Sequence, residues 1–258
     1  MCGIAGVIDF HKKSTKSDIK SMIEPLNHRG PDGEGVSLFK SKNATIGFGH
    51  KRLSIIDLSQ TGNQPMTLNH LHITYNGEIY NYQEIKNELL GLGHHFNGES
   101  DTEMILHAYA EWGIKAVERF IGMFAIALFD EKKQEVVFMR DRAGVKPLFY
   151  YQKNDLILFS SELKSFHEHP EFVKKLDLNA VAAYMQYGNV PTPHCIFKNC
   201  AKVKPGHYLK INLENKSLQE TQYWNVYDFY NQPKLKLSFP EAKIQTKELL
   251  KSAFNYRM

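Results

Sequence analysis

Twice along this chain a short apolar run is followed, across a few polar residues, by a second one. Residues 123–130 and 134–139 are separated by Glu131-Lys132-Lys133, and residues 148–151 and Leu156–Ser160 repeat the arrangement. Strands joined so closely pair antiparallel, because a parallel pair needs a crossover of a dozen residues or more. Helical spacing falls between the strand groups. In residues 16–26, Ile19, Met22, Ile23 and Leu26 share one face, and Leu178–Tyr187 reads as a second helix. Antiparallel pairs with segregated helices favour a layered α+β domain over a βαβ parallel sheet.

The remaining segments follow the same logic. Gly3–Asp9 is a short apolar run and predicts a buried strand. Residues 27–35 (NHRGPDGEG) predict a loop. Residues 44–56 predict one or two strands around His50-Lys51-Arg52, and residues 72–76 a strand ending at Gly77. Three helix starts carry the spacing of a capping box: Asn81 with Glu84, Ser100 with Glu103, and Ser238 with Glu241.

Composition narrows the function classes. The 258 residues are 42% hydrophobic and 23% charged, an ordinary globular balance. The net charge of +4 is spread without a long basic run, so nucleic acid is not an expected partner. The longest apolar run, residues 123–129, is far too short for a membrane span, and no charged segment precedes the first apolar stretch as in a signal peptide. The expected location is the cytoplasm. Three cysteines, Cys2, Cys195 and Cys200, make no disulfide framework, and the latter two read as reduced thiols. His94-His95 and His167-x-His169 lack the spacing of a zinc site, so no metal is expected.

Cys2 carries the first chemical signal. A small residue after Met1 permits removal of the initiator, which would leave Cys2 with a free α-amine. Such an amine has a pKa of about 7.7–8.0, against about 10.4 for lysine, and is partly a free base at neutral pH. A thiol beside it has its own general base without any histidine.

Ordered motifs follow that cysteine: MCGIAGV, HRGPDG at residues 28–33, KRLSIID at 51–57, NGEIYN at 76–81 and ESDTE at 99–103. RDRAGVKPLFYY at 140–151 and SSELKSF at 160–166 continue the series. In these motifs, across residues 2–211, the chain resembles the class II glutamine amidotransferases, and within them the asparagine synthetase family. The resemblance implies a four-layer αββα sandwich of the N-terminal-nucleophile hydrolase type.

It also implies roles. Cys2 would attack the side-chain amide of glutamine and form a γ-glutamyl thioester. The Asn76 amide and the Gly77 N–H would stabilise the oxyanion. Arg52 would bind the substrate carboxylate through its planar fork and Asp101 the ammonium, with Leu53, Ser54, Ile55, Ile56 and Glu78 completing the pocket. For Arg52 a plain surface charge is the competing reading, and for Asp101 a helix cap. Arg29 and the Arg140-Asp141-Arg142 run read as structural ion pairs.

In the family a second domain activates a carboxylate with ATP, on a Ser-Gly-Gly-x-Asp-Ser loop that this sequence lacks. The amphipathic residues 241–256 present an apolar face with no partner. The expected organisation is therefore a glutaminase domain at 1–211, then a linker and the opening of a synthetase domain at 212–258. No cofactor is expected in this chain, with ATP and Mg required only by that further domain. An exposed helix face also leaves room for a homodimer. The acceptor is open between aspartate and a sugar acid of surface-polysaccharide biosynthesis. A non-catalytic interaction module is the rival class, and joint retention of Cys2, Arg52, Asn76, Gly77 and Asp101 argues against it.

Overall fold

The computed structural model describes residues 2–53 and 62–257. In chain order it begins with strand β1 (Gly3–Asp9), helix α1 (Lys16–Ile23) and strands β2 (Gly33–Lys40) and β3 (Thr45–Arg52). Next come β4 (Met66–Leu68), β5 (Leu71–Ile79), α2 (Tyr82–Gly91), α3 (Asp101–Trp112) and the single turn α4 (Ala116–Arg119). The hairpins β6 (Gly122–Asp130)–β7 (Glu135–Arg140) and β8 (Phe149–Lys153)–β9 (Leu156–Ser160) follow. The rest is α5 (Leu178–Tyr187), β10 (Cys200–Lys202), β11 (His207–Asn212), β12 (Leu218–Gln222), α6 (Val226–Tyr230) and α7 (Phe239–Asn255).

The strands form two six-stranded sheets, ordered β10-β8-β9-β1-β3-β2 and β12-β11-β7-β6-β5-β4, with every pairing antiparallel. Side chains alternate across a strand, so each sheet has two faces to cover. The facing sides bury Ile4, Ile8, Ile46 and Phe48 of one sheet against Ala125, Ala127, Phe129 and Phe138 of the other. The outer face of the first sheet packs Ala5, Val7 and Leu158 on Ile19, Met22 and Ile23 of α1. The outer face of the second packs Ile73, Tyr75 and Ile126 on Leu89 of α2 and on Met104, Ile105 and Ala108 of α3. Helix, sheet, sheet and helix stack in that order, the αββα sandwich expected from the sequence. Gly49 makes the first helix contact possible: a Cβ there would lie 2.5 Å from Ile23 Cγ2.

Several local readings are corrected. Residues 33–35 are the start of β2, not loop, because they pair with His50, Lys51 and Arg52 of β3. The strand at 72–76 runs on through Gly77 to Ile79, held by β6. Asn81 does not cap α2. Its side chain instead ties the neighbouring layer, donating to the Arg119 carbonyl at 3.1 Å and accepting from the Ile121 N–H at 2.9 Å. At α3 only half of the box forms: Ser100 accepts from the Glu103 N–H, while the Glu103 carboxylate turns to the N–H groups of Asn97 and Gly98. The Ser238–Glu241 box at α7 is present. Beyond residue 211 the second sheet continues, with β12 pairing along β11 and Leu213 fully buried. On α7, by contrast, Ile244, Leu249, Leu250 and Phe254 are all exposed.

Candidate functional site

Cys2 sits just ahead of β1, half-buried. Gly3 pairs with Lys51, so the residue before it faces the end of β3. There the Cys2 Sγ accepts from the Leu53 N–H at 3.3 Å and lies 3.6 Å from the Leu53 carbonyl. Arg29 fixes the backbone, its Nε donating to the Cys2 carbonyl at 3.0 Å while its Nη1 pairs with Glu162 at 2.9 Å.

Asn76 and Gly77 lie on β5, opposite Ala125 and Phe124 of β6. The other edge of β5 is covered by β4 only as far as Ile73. Alternate residues of a strand send their N–H groups to the same side. The Tyr75 N–H meets Gln64 Oε1 at 2.6 Å on the open side, and the Ile79 N–H meets Asp101 Oδ2 there at 3.2 Å. The Gly77 N–H between them therefore faces the same edge. A Cβ on Gly77 would stand 2.3 Å from the Met123 carbonyl oxygen and 2.7 Å from Phe124 Cα, so only glycine fits.

Thr74 donates to the Gly49 carbonyl across the sandwich at 3.3 Å, which sets Thr74, Asn76 and Glu78 on the inter-sheet face. Asn76 is 1% exposed, and its amide nitrogen meets no acceptor among the described residues. Leaving a buried donor unmade costs about 1–3 kcal/mol. Native folds keep few such atoms, and each calls for an explanation, a bound ligand or water among them.

Asp101 opens α3 and is 7% exposed. Burial pushes its carboxyl up to about 6, against the hydrogen bonds from the Tyr75 hydroxyl and the Ile79 N–H, while the Glu78 charge pushes the same way as burial. The helix cap is Ser100 and not Asp101. Arg52 ends β3, where its Nη1 donates to Asn63 Oδ1 at 2.6 Å. Glu78 is half-buried beside Gly77, and its charge acts on Tyr75, Asp101 and Lys146. Ser54, Ile55 and Ile56 lie outside the described residues.

Two groups of sequence-selected residues thus form, Cys2 with Leu53 and Asn76-Gly77-Glu78 with Asp101. Tyr75 joins the second group, its hydroxyl donating to Asp101 Oδ2 at 2.8 Å, and Lys146 is buried on a loop whose backbone is tied to Asp141. Neither was singled out from sequence, and neither were Gln64 and Glu162. A tyrosine inside a strand and a lysine inside a loop give no spacing signal. Cys195 and Cys200 are free thiols, both pushed up to about 12 by burial, and so poor nucleophiles. Among the described residues no group of three or more His, Cys, Asp or Glu is arranged to hold a metal. His94 instead contacts His107 at 2.9 Å and Glu111 at 3.0 Å. No described helix is long and apolar enough to cross a membrane.

Two stacked antiparallel sheets with a cysteine at the head of a central strand define an N-terminal-nucleophile hydrolase fold. A solved glutamine phosphoribosylpyrophosphate amidotransferase from B. subtilis shares it, with a TM-score of 0.64 at 18% identity over 86% of this chain and 49% of that one. The sequence profile of the glutamine amidotransferase domain matches residues 1–224. The chain belongs to the class II glutamine amidotransferase family. It is 38% identical to the putative asparagine synthetase [glutamine-hydrolyzing] 2 of Methanocaldococcus jannaschii, over 95% of this chain and 52% of the relative. It is 37% identical to asparagine synthetase [glutamine-hydrolyzing] 3 of Bacillus subtilis, over 88% and 37%. The chain spans about half the length, or less, of these relatives.

Proposed function

We propose that this chain hydrolyses glutamine at Cys2 and supplies the ammonia for an ATP-dependent amidation, of aspartate to asparagine, carried out by a further domain. The Cys2 α-amine takes the thiol proton, and the thiolate attacks the glutamine side-chain carbonyl carbon. The Asn76 amide and the Gly77 N–H receive the developing oxyanion. Collapse passes the proton to the leaving nitrogen and expels ammonia, leaving a thioester. Water, deprotonated by the same amine, then releases glutamate and regenerates the thiol. Arg52 takes the substrate carboxylate and Asp101 its ammonium, with the segment from Leu53 to Ile56 and Glu78 around them.

The observation that carries this reading is the buried amide nitrogen of Asn76, which meets no acceptor among the described residues, next to the Gly77 N–H on an edge of β5 that β4 leaves beyond Ile73. An interaction module has no use for a donor kept dry and unmade at a cost of about 1–3 kcal/mol. The test is mass spectrometry after exposure to a glutamine-analogue electrophile. A single adduct on the N-terminal peptide is expected, and an adduct on Cys195 or Cys200 alone refutes the assignment.

Aspartate is favoured as acceptor by the names of the relatives. A sugar acid is the alternative, distinguished by supplying each acceptor with ATP to the full-length protein. ATP and Mg are assigned to the further domain, and the requirement for ATP suits a cytoplasmic location. The exposed apolar residues of α5 and α7, among them Leu178, Met185, Leu249 and Phe254, are assigned as the surface that this domain covers.

A further inference from the structure

Strand β4 stops covering β5 at Ile73, which pairs with Met66. Continuing that register would set Gln64 opposite Tyr75, with Pro65, which has no N–H, before the strand. The Gln64 backbone does not follow it. Its carbonyl lies against β2, in the place that a Cβ on Gly35 would take. The side chain reaches β5 instead, where Gln64 Oε1 accepts from the Tyr75 N–H at 2.6 Å. An N–H can meet only the oxygen of an amide, so the nitrogen faces away from the strand. There Nε2 donates to Thr102 Oγ1 of α3 at 3.1 Å. Gln64, Tyr75 and Thr102 are all buried, so both hydrogen bonds are kept from water.

Further along the same edge the Ile79 N–H meets Asp101 Oδ2 at 3.2 Å. Side chains thus take the N–H groups on either side of Gly77. A paired strand in their place would run on past Gly77 and cover it. Gln64 and Asp101 supply acceptors one at a time, and the Gly77 position between them stays open to a ligand. Both acceptors also lead to one anchor, because Asp101 and Thr102 are consecutive residues at the start of α3. The edge that carries the Gly77 N–H is therefore fixed to a helix and not to a strand.

We propose that Gln64 is a positioning residue of the oxyanion site, anchoring β5 at Tyr75 to the start of α3 so that the Gly77 N–H keeps its direction. The inference rests on the glutamine reading of the site. In this role Gln64 acts through Gly77 and not on the substrate. An oxyanion donor is effective because it is aimed before the charge develops. A misplacement of about 1 Å can cost about 10²-fold in rate. If Gln64 only closed the sheet edge, its loss would lower stability and the number of working sites, but each folded site would hold the oxyanion as before.

The test compares Gln64→Leu, Gln64→Met and Gln64→Glu with the unmodified full-length protein. Working sites are counted by labelling Cys2 with a glutamine-analogue electrophile, so that kcat is read per site and partial folding drops out. The oxyanion is read with glutamate γ-semialdehyde, the aldehyde analogue of glutamine. The Cys2 sulfur adds to its carbonyl carbon, the thiol proton passes to the α-amine, and the former carbonyl oxygen becomes an oxyanion with no leaving group to expel. In Gln64→Leu and Gln64→Met, kcat per site and aldehyde affinity are expected to fall together by about ten- to a hundredfold. Affinity for glutamate, which has the same α-groups and forms no adduct, is expected to change little. Gln64→Glu keeps an acceptor for the Tyr75 N–H and can accept from the Thr102 hydroxyl, and is expected to recover most of both losses. Two apolar variants are used so that a folding defect in one leaves the other to read. Unchanged kcat per site and aldehyde affinity in the apolar variants overturn the role of Gln64 alone. An unmodified protein whose Cys2 neither labels nor takes the aldehyde overturns the glutamine reading as well.

Discussion

Replacing Asp101 with Asn removes one buried negative charge and leaves the shape nearly unchanged. The Asn oxygen can still accept from the Tyr75 hydroxyl and the Ile79 N–H, which now lie 2.8 and 3.2 Å from Asp101 Oδ2. In the folded chain the carboxyl is raised from 3.8 to about 6, chiefly by burial. The folded state keeps its proton up to about pH 6, while the unfolded state releases it near 3.8, so the folded state binds more protons in between. Stability therefore falls as pH rises through that window and stays lower above it. A shift of about two units at 1.36 kcal/mol each amounts to about 3 kcal/mol. Urea unfolding of both proteins at pH 4, 5, 6 and 7 is expected to show the unmodified chain losing up to about that amount relative to Asp101→Asn.

If Asp101 takes the substrate ammonium as proposed, function should move the other way, because the ammonium is held by the anion. The glutamine KM of the unmodified protein is expected to climb about tenfold between pH 7 and pH 5. In Asp101→Asn it is expected to be at least about thirty-fold higher at pH 7.5, the lower end of what truncating one partner of a buried charge pair costs. The reasoning is refuted if Asp101→Asn keeps the KM of the unmodified protein, or if the two unfolding curves show the same pH dependence.

Three further outcomes are expected. Asn76→Ala should lower kcat by about 10²–10³ with little change in KM, while thermal unfolding stays put or rises, because a buried amide nitrogen that meets no acceptor among the described residues is lost; an equal fall in stability would mark Asn76 as structural. Gly77→Ala forces a Cβ to within 2.3 Å of the Met123 carbonyl oxygen and should cost about 1–3 kcal/mol by denaturant titration, with activity lost even where the variant folds. A chain that keeps a residue ahead of Cys2 has an amide in place of the basic amine and should hydrolyse no glutamine; equal ammonia release from blocked and processed samples would refute the N-terminal mechanism.

The periodic segments were legible because their pattern is local. Residues 123–130 and 134–139 could only pair antiparallel across Glu131-Lys132-Lys133, and they do, as β6 and β7. Ile19, Met22, Ile23 and Leu26 share a face through backbone geometry alone, and all four are fully buried. Cys2, Asn76 and Gly77 stood out because the chemistry they imply needs those residue types, and the resemblance set them in order.

Contacts across long sequence separation decided the rest. Residues 33–35 look like a loop by composition and become a strand because β3 offers them a partner. Asn81 has the spacing of a cap, yet Arg119 and Ile121 take its side chain, since a partner some forty positions away arrives only with the fold. Asp101 reads as either a cap or a ligand until Ser100 is seen to fill the first role and burial to raise the carboxyl. Lys146 is one lysine among many in the sequence. It becomes a buried residue only when Asp141 ties its backbone to Phe124, opposite Gly77.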